Sequence, residues 1–368
     1  MKTVALYSPY IPKHSGGGER YLLSIAESSS RSADTFLLVS KAQVVQTEKK
    51  LRVYEKTFGL DLSKVQVRST VIGSPRSSVQ IFQETRKYDV LFAMTDGSFF
   101  ASGAKKSHLI IQVPWMRKLS VFESLKLSTW KSIIVYSDFV GEILKKSWKT
   151  SKIQVLSPYV DVHDFHPLES VQKEKLIISV GRFFSHAKSN SKKQDILIEA
   201  FKLFSDTHPK DQWHLALLGS VDPNPDSYAY IKKLKEHARG YSVSIHTDLS
   251  YDALRSFYQR ASMYWHAAGY EVNESTHPEN TEHFGITTLE AMASGCIPIV
   301  VPKGGQQEVV DDPTLYWNTP TELLQKTQTV LTHLERKDEE FDRISTKMQS
   351  QVHKYTKEVF ANQVKKIL

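Results

Sequence analysis

The chain has 368 residues, of which 40% are hydrophobic and 24% charged; that length suggests two domains, and the composition excludes a disordered polymer. A single cysteine, Cys296, excludes an internal disulfide framework. With no CxxC and no paired His/Cys spacing, a structural zinc site is excluded as well, and a reduced cytoplasmic setting is expected. No run of about 18 apolar residues reads as a transmembrane helix. Pro9 and Pro12 arrive too early for the apolar core of a signal peptide.

The chain opens on Thr3-Val4-Ala5-Leu6-Tyr7, a short apolar run expected as a buried strand. A loop with Pro9, Pro12 and Gly16-Gly17-Gly18 leads into a helical pattern from Glu19 to Ala26. Glycines after a first strand either let the backbone approach a phosphate closely or simply turn the chain. Further strands are expected at Tyr88–Ala93, Leu109–Val113 and Ser132–Tyr136. The opening then repeats: Leu176–Val180 runs into Gly181-Arg182, and after a polar loop Gln194–Phe201 forms an amphipathic helix. Leu215–Leu218, Val243–His246 and Ile297–Val301 complete the strand series, and from about Thr321 the pattern is helical. Strands alternating with helices predict an α/β protein of two doubly wound, Rossmann-like domains facing one another across a cleft. The expected domains are 1–165 on the acceptor side and 166–350 on the donor side. A C-terminal helix over 351–368 is expected to pack back toward the first domain.

The formal charge of +8 is unevenly spread. Residues 1–170 carry 24 Lys+Arg against 15 Asp+Glu, and the remainder 24 against 25. Residues 105–152 alone hold ten basic and three acidic side chains, interleaved with Trp115, Trp130 and Trp148. Two readings stand: a solvated basic face over buried tryptophans, or a surface for an anionic partner, a membrane above all. No nucleic-acid-binding motif accompanies the charge, so a nucleic-acid partner is not expected.

The most informative segment is Glu282-His283-Phe284-Gly285-Ile286-Thr287-Thr288-Leu289-Glu290-Ala291-Met292-Ala293-Ser294-Gly295. Gly285 precedes an apolar helical pattern, which leaves free backbone N–H groups and a positive dipole end at Gly285, Ile286 and Thr287, suited to a phosphate. Glu282 and Glu290 flank that point, and carboxylates accept hydrogen bonds from sugar hydroxyls. Glu290 has an alternative as an exposed helix residue, and His266 reads equally as pocket wall or core histidine. The loop Glu271–Thr281 has no readable role.

This segment resembles the retaining glycosyltransferase family 4, of GT-B fold, marked by two glutamates with the spacing of Glu282 and Glu290. Pro9–Arg20 is similar to its first glycine-rich loop, and Ser157–Asp161 with Phe165 to its interdomain segment. Gly181-Arg182 and Lys192, three residues before Asp195, are similar to its phosphate-binding pair, and Gly304-Gly305 with Glu308 to its final loop. The resemblance implies transfer of a hexose from a nucleotide-sugar to a hydroxyl acceptor with retention, and no cofactor or metal. Arg182, Lys192 and Glu282 would be catalytic. Gly17, Gly18, Gln112, His266, His283, Phe284, Gly285, Ile286, Thr287 and Glu290 would bind the donor. Lys193 is the rival of Lys192.

Two departures stand out. The loop from Ser185 to Asn190 is longer than the family's usual form, and Gln112 stands where many relatives have His. Glutamine is no proton-accepting base, so a front-face mechanism is implied, in which the leaving phosphate takes the acceptor proton. The expected acceptor is a glycan or a lipid-linked, phosphorylated one, met at the cytoplasmic face of an anionic membrane. The alternative reading is a non-catalytic nucleotide-sugar-binding or assembly protein of the same fold.

Overall fold

The computed structural model describes residues 2–13, 16–74, 78–95, 97–184 and 191–368. Each half begins as its sequence predicts, with an apolar strand that turns into a helix. The first half runs β1 (Thr3–Tyr7), α1 (Gly17–Ser30), β2 (Asp34–Ser40), α2 (Val44–Phe58), β3 (Val65–Thr70), α3 (Ser78–Thr85) and β4 (Val90–Met94). It continues through β5 (Lys106–Ile111), α4 (Val121–Ser128), β6 (Ser132–Val135), α5 (Asp138–Trp148) and β7 (Ile153–Val155). These strands form one parallel sheet in the order β3-β2-β1-β4-β5-β6-β7.

The second half runs β8 (Glu174–Val180), α6 (Gln194–Thr207), β9 (His214–Gly219), α7 (Pro225–His237), β10 (Val243–Thr247) and α8 (Tyr251–Arg260). Then come β11 (Ala261–His266), α9 (Ile286–Ala293), β12 (Ile297–Val300), α10 (Gln306–Val310), α11 (Pro320–Arg336), α12 (Glu339–Lys354) and α13 (Lys357–Ile367). Its parallel sheet has the order β10-β9-β8-β11-β12. Both sheets are doubly wound: strand order reverses between β1 and β4 in one and between β8 and β11 in the other. Such a reversal leaves a crevice at the carboxyl ends of the strands, where loops diverge to opposite faces.

The compact units are Met1–Pro158 with Glu358–Leu368, and Tyr159–Lys357. The division falls a few residues before the 165/166 boundary read from sequence. The C-terminal segment is also two helices rather than one, because α12 ends at Lys354 and α13 starts at Lys357. Phe360 of α13 packs edge-on against Tyr21 at 5.8 Å, and Lys2 and Lys106 donate to the Leu368 carbonyl at 2.8 and 2.9 Å.

Four strands, β2, β3, β7 and β11, are absent from the sequence reading, the first three for separate reasons. β2 opens on Asp34-Thr35, β3 alternates around polar Gln66 and Arg68, and β7 is three residues long. His266 is the last residue of β11.

The tryptophans of 105–152 require a correction. Trp130 is 1% exposed and Trp148 5%, and both belong to the apolar core of the first unit, with Trp115 packed against it. Trp130 Nε1 donates to the Phe100 carbonyl at 2.8 Å, and Trp115 stacks on Trp148 at 6.5 Å. Rings committed to the core cannot settle among lipid headgroups, so Trp130 and Trp148 take no part in any membrane surface on this segment. Among the described residues, no helix is long and apolar enough to cross a membrane.

Candidate functional site

The strand β11 carries Tyr264 and His266 two residues apart, hence on one face of the sheet. The chain then leaves the sheet through a loop and returns at Glu282, just before α9. That detour brings His266 Nε2 to 3.0 Å from Glu282 Oε2. From the carboxyl end of β8, Gly181 begins the segment that ends with Lys192, whose Nζ lies 2.6 Å from the same Oε2. Both ends of the Lys192–Glu282 pair are largely enclosed, at 17% and 14% side-chain exposure. Burial alone would raise the Glu282 carboxyl, but the Lys192 ammonium and the His266 hydrogen bond outweigh it and hold the acid well below the usual carboxylate range. Burial lowers His266 against the pull of Glu282, so the imidazole stays neutral. Its pairing assigns the proton to Nε2, and among the described residues Nδ1 has no hydrogen-bond partner.

Helix α9 follows directly. Its N-cap, Gly285, has φ +103° and supplies no side chain to the helix end. The backbone N–H groups of the first turn therefore face outward without a side-chain cap, and the dipole favours an anion there. A Cβ on Gly285 would lie 2.8 Å from Gln306 Oε1, so glycine is required by both conformation and space. Gln306 in turn donates to Thr288 Oγ1 at 2.9 Å. The loop Gly304-Gly305 closes the far side, with the Gly305 N–H donating to the Glu282 carbonyl at 2.7 Å.

Glu290, one turn and a half along α9, is 5% exposed, which removes the exposed-helix alternative. It accepts from the Tyr258 hydroxyl at 3.1 Å, and that hydroxyl is also 3.2 Å from the Thr287 carbonyl. Burial and the Glu290 charge push the Tyr258 phenol well up, so it remains a donor. Thr287 Oγ1 pairs with the Tyr264 hydroxyl at 2.8 Å.

The remaining residues expected at the site divide. Phe284 is buried and packs on Tyr355 at 5.2 Å, so its ring serves packing. His283 Nε2 lies 3.2 Å from the Glu279 carbonyl. Ile286 opens α9. Arg182 is exposed, with its guanidinium 5.5 Å over the Phe184 ring, and its carbonyl accepts from Gln194 Nε2 at 3.2 Å. Lys193 takes the left-handed N-cap position of α6, at φ +52°; Lys192, not Lys193, reaches Glu282. The long loop 185–190 lies outside the described residues.

In the first unit, Gly17 opens α1, and a Cβ on Gly18 would meet the Gln112 amide at 2.8 Å. Gln112 itself donates to Met94 Sδ. Beyond the carboxyl ends of β1, β2 and β4 lies a cavity of about 910 Å³, with Ser8, Tyr10, Ser40, Thr95 and Lys126 among its walls. Hydroxyl-rich walls offer donors and acceptors to a polyhydroxyl ligand. Neither this cavity nor Tyr258, Tyr264 and Gln194 was singled out from sequence. Only Tyr264 had a readable signal, its two-residue spacing from His266 on a strand.

Residues 163–332 match the family model described as glycosyl transferases group 1. Curated relatives include the GDP-Man:Man(3)GlcNAc(2)-PP-Dol alpha-1,2-mannosyltransferase of Candida glabrata, 26% identical over 53% of this chain and 40% of that protein. The alpha-1,3/1,6-mannosyltransferase ALG2 of Dictyostelium discoideum is 25% identical over 55% of this chain and 52% of its own length. The chain thus spans about half the length of these curated relatives. Among solved structures, TarM superposes with a TM-score of 0.70 at 12% identity, covering 100% of this chain and 98% of that one. Anabaena HepE, solved with UDP-glucose, superposes at 0.66 with 16% identity, covering 99% and 98%. The fold is GT-B, and the second domain is similar to group 1 glycosyl transferases.

Proposed function

We propose that the chain is a retaining, metal-independent hexosyltransferase using a nucleotide-sugar donor in glycan or glycolipid synthesis. The observation that carries this reading is the Lys192–Glu282–His266 cluster set against the uncapped N-terminus of α9. A leaving nucleoside diphosphate gathers negative charge, which Lys192, Arg182 and the α9 N–H groups are suited to stabilise. Glu282 holds donor-sugar hydroxyls, and Glu290 the ribose. The bond from the anomeric carbon to the phosphate oxygen breaks, a bond to the acceptor oxygen forms on the same face, and the acceptor proton passes to the departing phosphate. The acceptor, lipid-linked and phosphorylated, occupies the first-domain cavity while the protein rests peripherally on the cytoplasmic face of a membrane.

The names of the relatives choose the test, since mannosyl transfer and UDP-glucose appear among them. A thermal-shift panel of GDP-mannose, UDP-glucose and their diphosphates should single out one donor, because a hundredfold excess over Kd adds about 2.7 kcal/mol to native stability. No shift with any nucleotide-sugar would overturn the reading. Turnover of the selected donor should survive EDTA; loss with chelator and recovery with a divalent ion would overturn the metal-independent part.

A further inference from the structure

Helix α4 turns its apolar side chains outward. Its sequence, Val-Phe-Glu-Ser-Leu-Lys-Leu-Ser, buries Leu127, yet Val121 is 84%, Phe122 79% and Leu125 68% exposed. Val121 and Leu125 are four apart and Phe122 and Leu125 three apart, so the three side chains share one side of the helix. Met116, 50% exposed, lies in the segment that leads into it. Scattered exposed apolar residues are ordinary, but several on one helix face mark an interaction surface.

Cations border that face. Between α4 and α5 lies a cavity of about 490 Å³ whose walls include Lys118, Ser124, Ser128, Lys149 and Lys152, with no carboxylate among its described lining residues. Lys152 Nζ donates to the carbonyls of Leu127, Ser128 and Trp130 at 3.1, 3.0 and 2.7 Å, which pins the C-terminal end of α4. Lys118 and Lys149 are exposed. The acid on α4, Glu123, is neutralised by Arg117 at 2.8 Å and occupied in the capping box with Ser120. On α5, Glu142 lies 3.4 Å from Lys145, and Asp138 sits in the first turn.

An apolar face edged by lysines complements an anionic bilayer, with acyl chains for the former and lipid phosphates for the latter. A second copy of the chain would bring lysines against lysines. Lys126, from the same helix, lines the 910 Å³ cavity of the first unit. We infer that α4 docks the chain on an anionic bilayer, with Val121, Phe122 and Leu125 entering the acyl boundary and Lys118 and Lys149 holding lipid phosphates. A lipid-linked acceptor then enters the cavity past Lys126. The acceptor half of this inference rests on the transferase reading; the docking half does not.

Flotation with phosphatidylcholine vesicles and with phosphatidylcholine–phosphatidylglycerol vesicles tests it. The protein should float only with the anionic vesicles and be released as salt rises. Phe122→Ser combined with Leu125→Ser, both at exposed positions, should keep the Tm and lower partitioning at least tenfold. Lys118→Ala and Lys149→Ala should each lower it about fivefold at low salt. Equal behaviour with neutral and anionic vesicles, no flotation at low salt, or wild-type partitioning of the Phe122/Leu125 double variant would overturn the inference. So would a dimer that the double variant dissociates without loss of flotation. Donor binding is read separately, by thermal shift without vesicles. A retained shift with no flotation defeats docking and the peripheral part of the proposed function but leaves the donor reading, whereas flotation with no shift defeats the transferase reading and the acceptor half but leaves docking.

Discussion

Lys192 and Glu282, ninety positions apart in the chain, meet at 2.6 Å. The carboxylate oxygen that receives the ammonium also receives the Nε2–H of His266. One oxygen thus ties the segment after β8 to the end of β11 and to the entry of α9, across the point where strand order reverses.

Removing the cation isolates that carboxylate. Lys192→Ala should cost about 2 kcal/mol of stability, less than the ~3–5 expected for a fully buried charge because His266 still donates. It should also lower turnover more than it weakens nucleoside binding, since positive charge is needed most as the phosphate departs. Lys193→Ala should leave both nearly unchanged. Denaturant titration and steady-state kinetics of the two variants check this, and the reverse pattern would assign the role to Lys193.

Acid should loosen the second domain in two stages. His266 is depressed below its ordinary 6.5 by burial, so its contribution is present above about pH 6.5 and declines below it as the unfolded chain takes up protons first. Glu282 is depressed too, so its contribution persists above the ordinary carboxylate value and is lost as pH falls through the lower folded one. In Tm against pH, His266→Asn should shrink the first decline, to which buried His214 also contributes, and leave the second. An unchanged profile would mean that His266 does not carry the first stage.

Gly285→Ala should destabilise by about 1–3 kcal/mol, since a φ of +103° is strained for any side chain. The new methyl must also displace Gln306, whose amide holds Thr288. Donor affinity should fall with it, because the same residue sets the direction of the α9 N–H groups. Gln306→Ala should recover part of the stability lost to contact but none of that lost to φ. Chemical denaturation of the single and double variants separates the two.

Much of the architecture was legible in the residues. The apolar runs at Thr3–Tyr7 and Leu176–Val180, each followed by a helical period, predicted two doubly wound sheets, because a parallel strand buried on both faces leaves no room for polar alternation. Glu282, Gly285 and Glu290 were visible because a glycine before an apolar helix, flanked by acids, is a local pattern. What stayed hidden was partnership. The residues favoured Lys192 over Lys193 only by its offset from Asp195, and it is the turn into α6 that sends Lys192 to Glu282. Tyr258 stood in no motif, since its hydroxyl reaches Glu290 from a helix thirty-two positions away. The segment 105–152 makes the same point from the opposite side. Its composition announced aromatic and basic residues, but a tryptophan ring gains from leaving water in a core as it does at a bilayer. Packing alone decided that Trp130 and Trp148 lie inside while Phe122 and Leu125 face out. Local periodicity determined strands, helices and helix ends because those depend on neighbours in sequence. Which charges pair and which apolar faces stay uncovered depended on neighbours in space, and those exist only once the sheets are formed.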